Sequence, residues 1–467
     1  MCDIPRSQNV DPEEDWAVTD FSRVPGLEEL ILFSSGTESI ANHTFKALSR
    51  LKSLELLNNK LRNIPRPLPS SLEVLKLGDN LINVIQQSDF EGLKKLQVLE
   101  IKNNLVTAFS AVMFSPLFNL QTLVLDGNCI ETASGPLRLP RLKNLSLENN
   151  KLQSFPGNFF AHLPYLQYLS LSGNLLTKIP HELPKTLQSI KLERNHIKHL
   201  RLREVKHLEN VTDLLLSNNQ ISSLDGALLP ANLTALELSR NQLKTVPPRL
   251  PSRLQKLDCS GNFIPKVTLQ DFQGLQDLKH LFLDNNAISY FEGAALQRCA
   301  HLTNLALEQN LLTAIPLRLP VTLARLDLKG NHIEAIREQE LMHLKQLQVL
   351  NLRNNKISAL DRKVVECLPR LRHLYLDGNP WNCTCDLLKV KKLLTEKGMD
   401  VKSGQCVHPE ECQGESWMSS RKILQHCEQP YYYAPRKGKE DRRKVSGIGQ
   451  AIVRAQLEDD EYDYEID

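Results

Sequence analysis

The chain has 467 residues and a formal net charge of +3, with 57 Lys and Arg against 54 Asp and Glu. Charges this balanced give no whole-molecule field to steer the chain onto nucleic acid, and no run of about 18 apolar residues is present to cross a bilayer as a helix. Length alone suggests two or three domains, a prior that fails for a repeat array, so internal periodicity decides the organisation.

Residues 1–26 come first. The stretch MCDIPRSQNVDPEEDW has no apolar core and is acidic, so it does not read as a signal peptide. From residue 51 one pattern recurs, Leu-x-x-Leu-x-Leu-x-x-Asn-x-Leu. It reads LKSLELLNNKL from Leu51, LQTLVLDGNCI from Leu120, LKHLFLDNNAI from Leu278 and LRHLYLDGNPW from Leu371. Fifteen copies carry the asparagine: Asn59, Asn80, Asn104, Asn128, Asn150, Asn174, Asn195, Asn219, Asn241, Asn262, Asn286, Asn310, Asn331, Asn355 and Asn379. LEELILFSS at Leu27 is a degenerate sixteenth copy without it.

This is the leucine-rich repeat signature, with one strand per unit. It predicts an α/β solenoid, a horseshoe of about 16 repeats over 27–381 with a concave parallel β-sheet and an irregular convex face. No single unit can bury its own leucines, so neighbours must stack into one continuous core. Sixteen strands at about 4.8 Å spacing give a sheet about 75 Å along its curve. Each marker asparagine is expected to turn its amide inward and satisfy backbone groups of adjacent loops.

On the outer face, short units carry proline pairs, as in NIPRPLPSSL from Asn63 and TVPPRLPSRL from Thr245. Proline fixes φ and removes a donor, so these segments should be extended rather than helical. Longer units carry DFEGLKKL from Asp89 and DFQGLQDL from Asp271, suited to a short helix or turn.

The alternation of short and longer units with I-P-x-x-L-P-x-x-L segments resembles the small leucine-rich repeat proteoglycan family over roughly residues 27 to 427. The resemblance implies a secreted protein of the extracellular matrix that binds collagen fibrils and growth factors of the transforming growth factor-beta class, tempering signalling. Residues 382–427 resemble the cysteine-rich C-terminal cap of extracellular leucine-rich repeat proteins. The usual pairing, carried over, joins Cys383 with Cys406 and Cys385 with Cys427, and implies an oxidising compartment. Cys412 is surplus and either replaces Cys406 or stays free. A zinc site is the alternative, but the cluster lacks a paired C-x-x-C layout. Cys259, Cys129, Cys299 and Cys367 read as buried free thiols, the last two too far apart to bridge. At the N-terminus the resemblance breaks, because only Cys2 precedes the first repeat where the family has four clustered cysteines. Residues 1–26 are therefore a remnant or an atypical cap.

The concave face should carry binding. The central strand position and the position two residues later make thirty places across fifteen repeats. They hold eleven acids against five bases, a wall suited to a basic protein partner and repulsive to phosphate. The candidate contact residues are Glu100, Asp126, Glu148, Glu237, Asp258, Asp284 and Asp327, with Phe282 and Tyr375 as aromatic anchors. A solvated sheet face with scattered charge is the plainer alternative. Glycosylation sequons fall at Asn42, Asn144, Asn210, Asn232 and Asn382. Asn144 should project from the concave sheet, Asn210 and Asn232 lie at its rim, and Asn382, inside the cap, is expected to be inaccessible.

Thirteen histidines are spread through the chain, and no nucleophile elbow, H-E-x-x-H helix or phosphate-cradling loop accompanies them. The expectation is a non-enzymatic protein without cofactor or metal. Residues 428–467 lose the leucine frame and read as a disordered tail, basic then acidic. Arg436 to Lys444 could meet sulfated glycan, Ser446 has the Ser-Gly-x-Gly shape of a glycosaminoglycan attachment site, and Tyr462 and Tyr464 resemble tyrosine-sulfation sites. A cell-surface receptor or adhesion ectodomain is the second reading, opposed by the missing transmembrane segment.

Overall fold

A computed structural model describes residues 21–200 and 203–428 of the chain. The leucines that one repeat cannot bury are buried by its neighbours. Sixteen short parallel strands, from Glu29–Phe33 to His373–Tyr375, line a single sheet in chain order. The central leucines stand in register from strand to strand, Leu54 against Leu75, Leu75 against Leu99 and Leu99 against Leu123. Each of these is fully buried, which stabilises the fold by about 2 kcal/mol per side chain relative to exposure. The degenerate first copy packs less well: Leu27, Leu30 and Leu32 are only partly buried against the core, and Ile31 and Phe33 are exposed.

The marker asparagines form a ladder along one flank of the core. In Asn150, Oδ1 accepts from the Ile130 N–H at 3.0 Å, while Nδ2 donates to the carbonyls of Leu125 at 3.0 Å and Leu147 at 3.1 Å. The same three bonds recur at Asn80, Asn174, Asn241 and Asn331. One planar amide thus ties the turns of adjacent repeats together with both its oxygen and its nitrogen bonded, which is why neither Asp nor Gln can substitute freely. The residue just before each marker takes positive φ, near 53° at Asn103 and 69° at Gly127. Side chains with a Cβ are strained there, and at Gly127 an added Cβ would meet Asn103 Oδ1 at 2.1 Å.

The convex side is a mixture, as the proline pattern implies. The Pro-rich short units are extended, without helix, whereas longer units contain single turns such as Gln87–Phe90, Glu338–Leu341 and Arg362–Glu366. The second expected turn segment, DFQGLQDL, forms turns rather than a helix. Two small parallel pairs also occur, Ala108–Ser110 with Thr132–Ser134 and Lys266–Val267 with Tyr290–Phe291.

The C-terminal end of the sheet is closed by a seventeenth strand, Asp400–Lys402, paired with His373–Tyr375. Behind it the helix Cys385–Glu396 buries Leu387, Val390 and Leu394. Trp381 and Trp417 pack with ring centres 5.7 Å apart, and their indole N–H groups donate to Leu376 O and Ser403 O. Disulfides join Cys383 to Cys406 and Cys385 to Cys427, the pairing the resemblance implies. Cys412 stays a buried free thiol, as do Cys259, Cys299 and Cys367. Burial pushes the Cys299 thiol up to about 11, so it is not a thiolate at neutral pH. Cys129 corrects the expectation: it is disulfide-bonded. Its position just after a marker asparagine places it on the side of the solenoid, not in the strand core where Cys259 sits.

Candidate functional site

On a parallel sheet, residues at equivalent positions of successive strands stand about 4.8 Å apart, close enough for short side chains to bond sideways. The concave wall is built from such contacts. In the first half, Lys76 pairs with Glu55 at 3.1 Å and Lys102 with Glu100 at 3.9 Å. Asp126 accepts from Ser146 Oγ at 2.6 Å and from the Glu148 N–H at 2.8 Å. Glu148 accepts from Ser170 Oγ, and Glu193 from Ser172 Oγ at 2.7 Å. Carboxylates here are held by neutral hydroxyls, by a backbone N–H or by a lysine of the same or the next repeat.

The second half gathers charge more densely. Glu237 pairs with Lys256 at 3.0 Å, and the Lys256 ammonium also lies 5.9 Å from the centre of the Phe282 ring. Asp258 accepts from Ser260 Oγ at 2.6 Å. Asp284 accepts from the Glu308 N–H at 2.6 Å. Asp327, 3 % exposed, accepts from the Lys329 N–H at 3.1 Å and Asn351 Nδ2 at 3.3 Å.

Burial raises the pKa of each of these three aspartates. Asp284 is shifted well above the usual carboxylate range, chiefly by desolvation, which the Glu308 N–H opposes and the neighbouring carboxylates of Asp327, Glu308 and Asp258 reinforce. Glu308 is raised as well, first by burial and then by Asp327, and its partner Lys329 at 3.5 Å opposes the shift. The result is a band of four carboxylates, from four successive repeats, whose negative charge is incompletely screened.

The candidate residues therefore do not form one site. Glu237, Asp258, Phe282, Asp284 and Asp327 come together. Glu100, Asp126 and Glu148 lie several repeats toward the N-terminus. Tyr375 stands at the C-terminal end, covered by Arg353, whose guanidinium is 4.7 Å from the ring centre and bonds Asp377 at 2.7 Å. Glu308 was absent from the candidates although its spacing from Asp284 matches the repeat. The screening bases Lys256 and Lys329 were also missed, because which neighbour a lysine reaches is a matter of rotamer and not of register.

The sequons differ in setting. Asn42 and Asn210 are exposed and Asn232 is half-buried. Asn144 is half-buried on the sheet, where its Nδ2 donates to Thr122 Oγ1 at 3.1 Å. Asn382 is exposed on the cap surface, contrary to the expectation that the cap would hide it. Cys2, Arg436 to Lys444, Ser446, Tyr462 and Tyr464 lie outside the described residues. Among the described residues no helix is long and apolar enough to cross a membrane.

A continuous asparagine ladder, a one-strand-per-unit parallel sheet and a disulfide-bonded end define a capped leucine-rich repeat solenoid. The leucine rich repeat family pattern matches residues 70–130, 140–183, 252–312 and 321–380. Over 411 residues the chain is 64% identical to nephrocan of Mus musculus, covering 88% of this chain and 80% of that protein. It is 31% identical to podocan-like protein 1 of Homo sapiens, covering 77% of this chain and 64% of that protein. The chain belongs to the small leucine-rich repeat proteoglycan family. Among solved structures, a chain of the octameric complex of Latrophilin 3, Unc5D and FLRT2, in which FLRT2 supplies the leucine-rich repeats, matches with a TM-score of 0.59 at 29% identity. The match covers 63% of this chain and 94% of that one.

Proposed function

We propose that the protein is a secreted, non-enzymatic scaffold of the extracellular matrix whose concave wall binds a basic segment of a protein partner. The observation that carries this reading is the band Asp258, Asp284, Glu308 and Asp327, where burial raises the carboxyl pKa values and, at Asp284 and Glu308, repulsion by neighbouring carboxylates adds to it. A lysine or arginine placed against the band would relieve that repulsion, so the wall gains from a cation what an ordinary solvated surface would not. Phe282 offers apolar area beside it. Collagen and growth factors of the transforming growth factor-beta class are the partners the family resemblance suggests, and matrix assembly or tempered signalling the outcome.

The test is capture of partners from conditioned medium by the full chain and by a variant carrying Asp258→Lys, Asp284→Lys and Asp327→Lys. The variant should lose the basic partners, and the wild type should release them in high salt. Identical capture by both proteins would sink the reading. The likeness to FLRT2 within an octameric assembly favours a second reading, a cell-surface receptor or adhesion ectodomain. Membrane fractionation of the full-length product separates the two.

A further inference from the structure

Along the edge where the chain enters the sheet runs a second surface of opposite charge. Its centre is a groove of about 740 Å³ lined by Pro140, Pro164 and Pro184 together with Arg138, His162 and Lys185. These residues precede the strands Asn144–Ser146, Tyr168–Ser170 and Ser189–Lys191, so three successive repeats each supply one proline and one basic side chain. The repetition has a structural cause. The residue after the last outer leucine of each unit, Leu139, Leu163 and Leu183, turns the chain into the sheet, and proline sets that turn without needing a donor.

The edge is extended by exposed Arg141 and Lys143 and, two repeats earlier, by exposed Lys94 and Lys95. Asn119, whose Nδ2 donates to Lys94 O at 2.6 Å, bridges the interval. Five consecutive repeats at the strand spacing give a basic track about 20 Å long. In the middle of the track carboxylates are scarce: between Glu131 and Glu182 the only acid is Glu148, which is bonded to Ser170 on the concave wall, while Glu91 and Glu182 lie near its two ends.

We propose that this track is a docking site for a sulfated glycosaminoglycan chain. A linear polyanion matches a line of cations, and arginine in particular presents a planar fork to an anionic oxygen pair. The floor fits the rest of such a chain. The ring faces of Pro140, Pro164 and Pro184, with exposed Tyr165 beside them, offer apolar surface to the C–H faces of pyranose rings while the sulfates reach the cations at the edge. The site is distinct from the acidic wall and independent of what binds there.

The test uses the full chain on immobilised heparin, so that Arg436 to Lys444 remain present. Arg138→Glu, Arg141→Glu and Lys185→Glu together should weaken binding about tenfold or more and lower its salt dependence, as removal of contacts to a polyanion does. A control with the same charge change at exposed positions off the track, Lys198→Glu, Lys244→Glu and Lys356→Glu, should bind nearly as the wild type. All substitutions are at exposed residues, and unchanged thermal midpoints establish that both variants fold. Retained binding by the track variant, equal loss in the control, undiminished binding of desulfated heparin, or stronger binding to phosphatidylserine vesicles than to heparin would each overturn the proposal.

Discussion

The acidic wall and the basic edge are built from the same repeat, a few residues apart, and they treat charge in opposite ways. On the wall every side chain has an equivalent neighbour one strand away, so charges find partners: Lys76 with Glu55, Lys256 with Glu237, Arg353 with Asp377. Where acids are buried on successive strands, desolvation first, and at Asp284 and Glu308 also the neighbouring carboxylates, make the carboxyl groups hold protons more tightly. At the edge the chain is still turning, the units differ in length, and exposed cations such as Arg138 and Lys185 point into water. A net charge of +3 therefore describes neither surface. Regular spacing couples charges into a site with a stored electrostatic cost, whereas irregular spacing leaves them free for a long, adaptable ligand.

The two surfaces share one frame, and breaking it should give the largest effect. Asn150→Ala removes the partner of the Ile130 N–H and of the Leu125 and Leu147 carbonyls. Buried groups left unpaired in this way should cost about 3 kcal/mol or more. Denaturant unfolding should show that loss, and binding at wall and edge should decline together. A decline at one surface alone would mean that the repeats report to each other less than the continuous ladder implies.

Next in size is the charge reversal of the wall. Asp258→Lys, Asp284→Lys and Asp327→Lys should lower affinity for a basic partner about 100-fold while leaving heparin binding unchanged. If both affinities move together, the surfaces are not independent and the comparison fails. A change of pH should separate them more gently. Because the wall carboxyl groups titrate above their ordinary range, binding of a basic partner should fall about tenfold under mildly acidic conditions. Binding at the edge should hold, since arginine and lysine keep their charge on acidification. Parallel titration of the two affinities checks this.

How much of this was legible in the sequence follows from what the repeat encodes. The marker asparagines and leucines fix strand, register and the inward amide, because each is tied to a backbone position that recurs. The acidic bias of the wall was legible for the same reason. Its concentration at Asp258, Asp284, Glu308 and Asp327 was not, since it depends on which lysine reaches which carboxylate and on depth of burial. The basic edge escaped notice because Lys94, Arg141 and Lys185 belong to outer segments of unequal length, where counting from one asparagine to the next loses alignment. Cys129 was read rightly as buried but wrongly as free, because the repeat pattern fixes the depth of a position and not which sulfur reaches it.

The smallest effect is the sharpest probe of the wall. Asp284 accepts the Glu308 N–H, a bond that an asparagine Oδ1 could keep, so Asp284→Asn removes the charge and preserves the contact. The pKa of Asp284 is raised in the folded protein, so the native state binds its proton more tightly than the unfolded chain does. Stability contributed by that proton is full at low pH and is lost as pH rises from the unfolded value toward the folded one. At neutral pH the carboxylate is therefore a liability to folding, and Asp284→Asn should stabilise the protein by on the order of 1 kcal/mol. The gain should shrink as pH falls through the raised pKa and vanish once the wild-type aspartate is protonated in both states. The same substitution should weaken capture of a basic partner, because it removes the repulsion that a bound cation would relieve. A variant that gained stability at all pH values would point to altered packing, and one that gained none would show that the acids of the wall are as well solvated as the cations of the edge.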